Sequence, residues 1–159
     1  MGGLVHSCIG LIVVLGQLCT APADSRDPKD ASKVKVTIIV ILASEGKPEV
    51  DKRLEKIAPE IQRRNPNLKR FQLKSINCRS LAVDEKASFS LVDDKKARVI
   101  VKQSADKNNR VGLAITAPDQ GEIVYRTVCG KFLPIVTRYQ TKMKERLILA
   151  VRVQPCNGE

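Results

Sequence analysis

The folding options of this chain are narrowed first by its closing stretch, Thr127 to Cys156, which reads TVCGKFLPIVTRYQTKMKERLILAVRVQPC. Leu147, Leu149, Val151 and Val153 alternate with Ile148, Ala150 and Arg152. An apolar residue at every second position lines one face of a strand, and here most of the other face is apolar too. A strand of that kind needs cover on both sides and belongs in the middle of a sheet. Phe132, Leu133, Ile135 and Val136 precede it, and the polar run Gln140 to Glu145 separates the two, so the stretch reads as an antiparallel hairpin. Pro134 has no N–H for a ladder, so its strand carries a bulge there or turns that position to an unpaired side.

A second strand of the same kind starts at Val34. Val34, Val36, Ile38, Val40 and Leu42 fill one face, and after Lys35 and Thr37 the other face is filled by Ile39 and Ile41. Ser44 to Lys47 turns the chain, and Pro48 suits a first helical position. Val50, Leu54, Ile57 and Ile61 then recur at the spacing of one helical face, with Pro59 either kinking that helix or starting a second short one, and Asn65 and Pro66 ending it.

Strands and turns follow. Phe71 and Leu73 share one parity and Ile76 and Cys78 the other, which predicts a bulge near Ser75. Ala87, Phe89 and Leu91 run to a turn at Asp93 to Lys96, and Ala97, Val99 and Val101 return; pairing Asp93 with Ala97 puts Leu91 opposite Val99. Val111, Leu113 and Ile115, the turn Pro118 to Gly121, then Ile123 and Tyr125 complete the series. The expected fold class is α+β: about eight mostly antiparallel strands in a strongly curled or two-layer sheet, with one main helix after the first strand.

The N-terminus adds a compartment. Ile9 to Leu18 is an apolar run of ten residues, half the length of a membrane span, which takes about twenty. Ala21 and Ala23 supply small residues before a cleavage point, so residues 1–23 read as a signal peptide, with a lipid anchor through Cys19 or Cys8 as the alternative. Residues 24–33 are a polar linker and 34–159 a single domain, with no transmembrane segment once the signal is removed. The chain has 28 Lys and Arg against 17 Asp and Glu, all beyond Ala23, so the formal net charge of +11 belongs to the exported part. The expected localisation is secreted or periplasmic.

The chemistry is bounded by what is missing. The one His is His6, inside the signal, and Trp is absent, which removes imidazole-based nucleophiles and His-containing zinc sites. Gly46, Gly112, Gly121 and Gly130 stand singly, so no nucleotide cofactor is expected, and neither a metal nor any other cofactor. Asp93 with Asp94 and Asp119 with Glu122 are the adjacent carboxylate pairs, and all four fall in expected turns. They support a carboxylate-dependent hydrolase only as the alternative to a non-enzymatic domain with no catalytic residues.

Positive charge is the stronger lead. Lys52, Arg53, Lys56, Arg63 and Arg64, with Lys69 and Arg70 just beyond, form the densest group, and Lys142, Lys144 and Arg146 a second. Lys52, Lys56, Arg63, Arg64, Lys69 and Arg70 are the candidate polyanion site, for which an anionic polysaccharide or envelope component is one partner; the competing reading is a charged surface that only keeps the domain soluble, and the sequence names no partner. Three Phe and two Tyr are too few for a base-stacking platform.

Removal of the signal leaves Cys78, Cys129 and Cys156. With the hairpin turn centred between Lys142 and Met143, Cys129 and Cys156 fall opposite each other, and a disulfide there would contribute on the order of 3 kcal/mol. Cys78 is the competing partner. The segments NPNLKRF (Asn65 to Phe71), CGKFLPIVTRY (Cys129 to Tyr139) and the closing VRVQPC resemble an uncharacterised family of small secreted bacterial proteins of the planctomycete-like sort, over roughly Val34 to Cys156. The resemblance implies export and a single domain, and carries no catalytic residue. The sequence therefore reads as a secreted, basic, disulfide-containing domain with a structural or binding role.

Overall fold

Two strands with apolar side chains on both faces cannot lie at a sheet edge, and the structure places them side by side at the centre of one. It is a computed structural model describing residues 33–155, so the expected signal peptide, nearly all of the linker, and Cys156 lie outside the described residues. β1 (Val34–Ser44) pairs antiparallel with β9 (Arg146–Pro155) from Val34 opposite Pro155 to Ala43 opposite Arg146. β3 (Arg70–Leu81) pairs with the other side of β1, β8 (Phe132–Gln140) with the other side of β9, and the two-residue β2 (Glu49–Val50) adds to β3 in parallel. Between β3 and β8 the chain builds a separate four-stranded antiparallel meander, β4 (Lys86–Ser90), β5 (Lys96–Gln103), β6 (Arg110–Thr116) and β7 (Glu122–Val128).

Two apolar layers hold these parts together. Val36, Ile38, Val40, Leu147, Leu149 and Val151 on one face of the five-stranded sheet pack against Phe89, Val99, Val101, Val111, Leu113 and Ile115 of the meander, all at 2% exposure or less. The opposite face of the same sheet presents Ile39, Ile41, Ala43, Ile148 and Ala150 to a short helical layer containing Leu54, Ile57, Ala58 and Ile61. Both cores therefore share β1 and β9. Burying one Leu or Ile contributes roughly 1.5–3 kcal/mol, so this strand pair is the most stabilising part of the chain.

The helical layer departs from expectation. A main helix directly after the first strand does not form, because β2 intervenes, held by Glu49 N donating to Lys69 O and Asp51 N donating to Phe71 O. Pro48 precedes that strand instead of opening a helix, and Val50 is exposed. A 3-10 turn at Lys52–Leu54 comes next, and α1 (Ala58–Arg64) begins with Pro59 in its first turn. Pro59 has no N–H and its ring would clash with the carbonyl four residues back, so the apolar stripe is broken into two short pieces.

The meander and the five-stranded sheet are two layers, and neither is strongly curled. β2 brings the strands among the described residues to nine. The bulge expected near Ser75 is there: Val40 faces Ser75 and Ile41 faces Leu73, leaving Lys74 as the extra residue. The β4–β5 register differs from the one expected. Phe89 pairs with Ala97 and Ala87 with Val99, and Lys95 N donates to Val92 O across Asp93 and Asp94, both at positive φ. Two successive left-handed residues make the tight hairpin turn whose twist matches that of the strands, and short polar side chains tolerate that conformation. The tip therefore forms on the two aspartates, earlier in the chain than the expected loop. The change of register is even in residue number, and every side chain keeps its face.

The closing hairpin is also re-registered. Pro134 sits on the edge strand opposite Ala150, and the irregularity lies between Val136 and Gln140. Phe132 faces Arg152, so the alignment that would set Cys129 against Cys156 is not formed, and Cys129 lies in the turn between β7 and β8. Within the bulge Thr137, 1% exposed, donates its hydroxyl to Leu147 O at 2.8 Å and accepts from Tyr139 N at 3.2 Å. Thr137→Val keeps the shape and leaves Leu147 O without that donor. It is expected to lower unfolding stability by about 1–3 kcal/mol in urea titrations, whereas Met143→Ser, at a position 83% exposed, leaves the midpoint unchanged.

Candidate functional site

The predicted basic group is carried by the segment joining β1 to β3. Lys52 lies on the 3-10 turn, Lys56 just after it, Arg63 and Arg64 in the last turn of α1, and Lys69 and Arg70 where β3 begins. All six are exposed, because the buried positions of this segment are its apolar ones, Leu54, Ile57, Ile61 and Leu68. Two of the cations in the segment are neutralised locally. Arg70 Nη2 lies 2.8 Å from Glu49 Oε2, and Arg53 forks onto Asp51 with Nε–Oδ1 at 3.0 Å and Nη2–Oδ2 at 2.7 Å. Lys52, Lys56, Arg63, Arg64 and Lys69 have no acidic side chain in salt-bridge range among the described residues.

Tertiary pairing then joins what sequence distance separates. Lys69 N donates to Ser44 O at 3.0 Å, and Ser44 follows Ala43, which faces Arg146 on β9. The hairpin tip with Lys142, Lys144 and Arg146 is thereby brought to the same end of the five-stranded sheet as Lys69 and Arg70. Between them lies a depression of about 370 Å³ lined by Ser44, Glu45, Leu68, Gln140, Met143, Lys144 and Arg146. Arg146 Nε is buried without a hydrogen-bond partner. The two basic groups stand more than seventy residues apart in the chain, and the strand order β3-β1-β9 is what joins them.

The carboxylates are placed differently. Asp93 and Asp94 form the β4–β5 turn, where short polar side chains tolerate positive φ. Tyr139 donates its hydroxyl to Asp93 Oδ2 at 2.7 Å, and Lys95 Nζ sits 5.0 Å above the Tyr139 ring. The adjacent carboxylate pushes the Tyr139 phenol above its usual range. Asp93 shares an open depression of about 470 Å³ with Glu145, Lys74 and Lys142, a juxtaposition not visible in the sequence. Asp119 and Glu122 are exposed on the rim of another depression of about 470 Å³, with Arg138. Exposed carboxylates interleaved with lysine and arginine do not have the burial that tunes a general acid.

Cys78 is exposed and accepts from the Thr37 hydroxyl at 3.6 Å. Cys129 is half-buried, and burial pushes its thiol up. Both are free thiols here, and Cys156 lies outside the described residues. Among the described residues no three His, Cys, Asp or Glu side chains group as metal ligands, and no helix is long and apolar enough to cross a membrane. No family model, curated protein or solved structure matches this chain.

The Arg53 fork also makes Asp51 a reporter of the segment. Its carboxyl is lowered to about 2, first by the Arg53 side-chain hydrogen bonds and then by Arg53 N, which donates to Oδ1 at 3.0 Å. A depressed carboxylate contributes stability above its unfolded value, and the contribution is lost as pH falls through the folded one. NMR titration should place the Asp51 midpoint near 2, with Arg53→Ala moving it toward about 4. A midpoint that ignores the substitution would mean the fork does not hold in solution.

Proposed function

We propose that this is a secreted or periplasmic binding domain, not an enzyme, that holds an anionic polysaccharide or a similarly charged envelope polymer. The observation that supports the reading is the convergence of the two basic groups at one end of the five-stranded sheet, around a depression lined by Arg146, whose Nε has no internal partner. A guanidinium not tied up by internal acceptors donates to a carboxylate or sulfate oxygen, and the exposed lysines around it add attraction that salt screens. Lys52, Lys56, Arg63, Arg64 and Lys69 then form the long side of the site, with Lys144 and Arg146 at its end, while Arg70 is held by Glu49. The fold that goes with this is an α+β domain whose small helical layer covers the second core with its inner side and displays cations on its outer side. Export and the family resemblance belong to the same proposal.

In the oxidised protein we infer a Cys129–Cys156 bridge. Gly130 N donates to Val153 O at 2.8 Å, which keeps Cys129 beside the end of β9 even though the strand register differs from the one expected. Peptide mapping under non-reducing conditions should recover the two cysteines together, and a Cys78-containing bridge would refute the assignment. The hydrolase alternative finds its best support in Asp93 and Glu145 lining one depression, but both flank lysines in open surface.

Changing Lys52, Lys56, Arg63 and Arg64 to Ser should lower heparin-column retention well below that of a variant with four serines scattered over exposed lysines elsewhere. It should also flatten the salt dependence by about one unit of slope for each cation that no longer meets the polymer. Equal effects from both variants would reduce the binding to net charge. Intact mass of exported protein should correspond to a start at Asp24; a species retaining Met1 would refute export by cleavage.

A further inference from the structure

The meander has a second face that neither core uses. Its inward side chains, among them Phe89, Val99, Leu113 and Ile115, fill the core between the sheets, so the alternate residues point away from the five-stranded sheet. Those alternate positions carry six cations, Lys86, Lys96, Arg98, Lys102, Arg110 and Arg126, against one carboxylate, Glu122. The cations are exposed. Asp106, in the turn before β6, lies near Arg110 and Arg126 and offsets part of their charge, while its Oδ1 accepts from the amides of Asn108 and Arg110 at 2.8 and 2.9 Å.

The centre of the face is a row of small aliphatic residues, Ile100, Ala114 and Val124, paired across β5, β6 and β7. A bulge at Lys102 directs both Lys102 and Gln103 to this side, where Gln103 covers Gly112 and accepts from Arg126 Nη2 at 3.3 Å. A Cβ on residue 112 would meet Gln103 Cβ at 3.1 Å, so glycine is what lets the bulge lie flat. Along β5 the outward positions are Lys96, Arg98, Ile100 and Lys102, so two cations about 6–7 Å apart are separated from a third by one aliphatic residue.

We infer that this outer face is a second binding surface for a linear anionic polysaccharide. The charge ratio calls for an anion, and cations spread over all four strands of the face suit a polymer that carries several charges along its length. The face has no aromatic side chain for stacking bases, and Val124, 67% exposed, is its one strongly exposed apolar side chain, too little to insert into a bilayer. The helical layer with Lys52, Lys56, Arg63 and Arg64 lies on the far side of the five-stranded sheet, so the two cationic surfaces face opposite ways. If the site proposed above also binds, on which this consequence rests, one molecule bridges two polymer chains.

The test compares the mature protein with an Arg98→Ser, Lys102→Ser, Arg126→Ser variant, using heparin oligosaccharides and long polygalacturonate as probes. The wild type should bind about two short oligosaccharides and cloud solutions of the long polymer. The variant should bind one, leave the polymer solution clear, and show a salt slope smaller by about two to three. An Arg98→Lys, Arg126→Lys variant keeps the charge and should behave as wild type, and circular dichroism with an unchanged unfolding midpoint separates a binding defect from a folding defect. Unchanged stoichiometry and clouding in the triple variant would overturn the inference, as would tighter binding of duplex DNA or of phosphatidylglycerol vesicles than of either polysaccharide. If instead the variant at Lys52, Lys56, Arg63 and Arg64 keeps full binding while the triple variant does not bind, the earlier site fails and this one stands.

Discussion

The antiparallel pairing of β1 with β9, the first and last strands described, is the element around which every layer is arranged, because these two carry apolar side chains on both faces. A strand buried twice over must have a layer on each side of it. The meander supplies one and the helical segment the other, and both cores lose their common wall if the pair separates. The pairing is also the most distant in sequence that the sheet makes, so its loop-closure entropy has to be offset by the burial it organises.

That arrangement explains why the chemistry sits where it does. Interior positions are taken by Val, Ile, Leu, Ala and Phe, and among the described residues the buried polar side chains are the threonines Thr37, Thr127 and Thr137. Most charged residues lie on the outer side of the helical layer, in the turns and on the outer face of the meander, and others, such as Lys35, Lys74, Arg79 and Arg138, lie on strands of the five-stranded sheet. Carboxylates concentrate in the turns, at Asp84, Asp93, Asp94 and Asp119, where positive φ favours a short polar side chain. Cations are left to dominate the two broad surfaces. A net charge of +11 is thus distributed by turn chemistry into basic faces with acidic corners.

The corners are locally satisfied and the faces are not. Asp51 holds Arg53, Glu49 holds Arg70, and Asp93 takes the Tyr139 hydroxyl. Most of the remaining lysines and arginines on the helical layer have water as their alternative, which is the condition in which binding an anionic polymer displaces counterions instead of breaking internal ion pairs. Arg146 and Arg152 on β9 link surface to fold, since their positions are set by pairing with Ala43 and Thr37 while the Nε of each is buried and unpartnered; of the two, Arg146 lines the depression at the hairpin end.

The two central strands, the parity of nearly every β residue, the bulge at Lys74 and the break at Pro59 are all legible in the amino-acid order. Each follows from local periodicity or from proline's missing N–H, which act over a few residues. The hairpin registers are less legible. At Asp93–Asp94 the turn moves without changing any side chain's face, so parity gives no warning of it, and between Val136 and Gln140 a bulge absorbs residues that a simple count would pair. Strand order alone brings Lys69 and Arg146 to one end of a sheet, and sets Arg98 and Arg126 on a face turned away from α1. That order is fixed by how two distant cores are filled, and it leaves no mark on the residues that end up as neighbours.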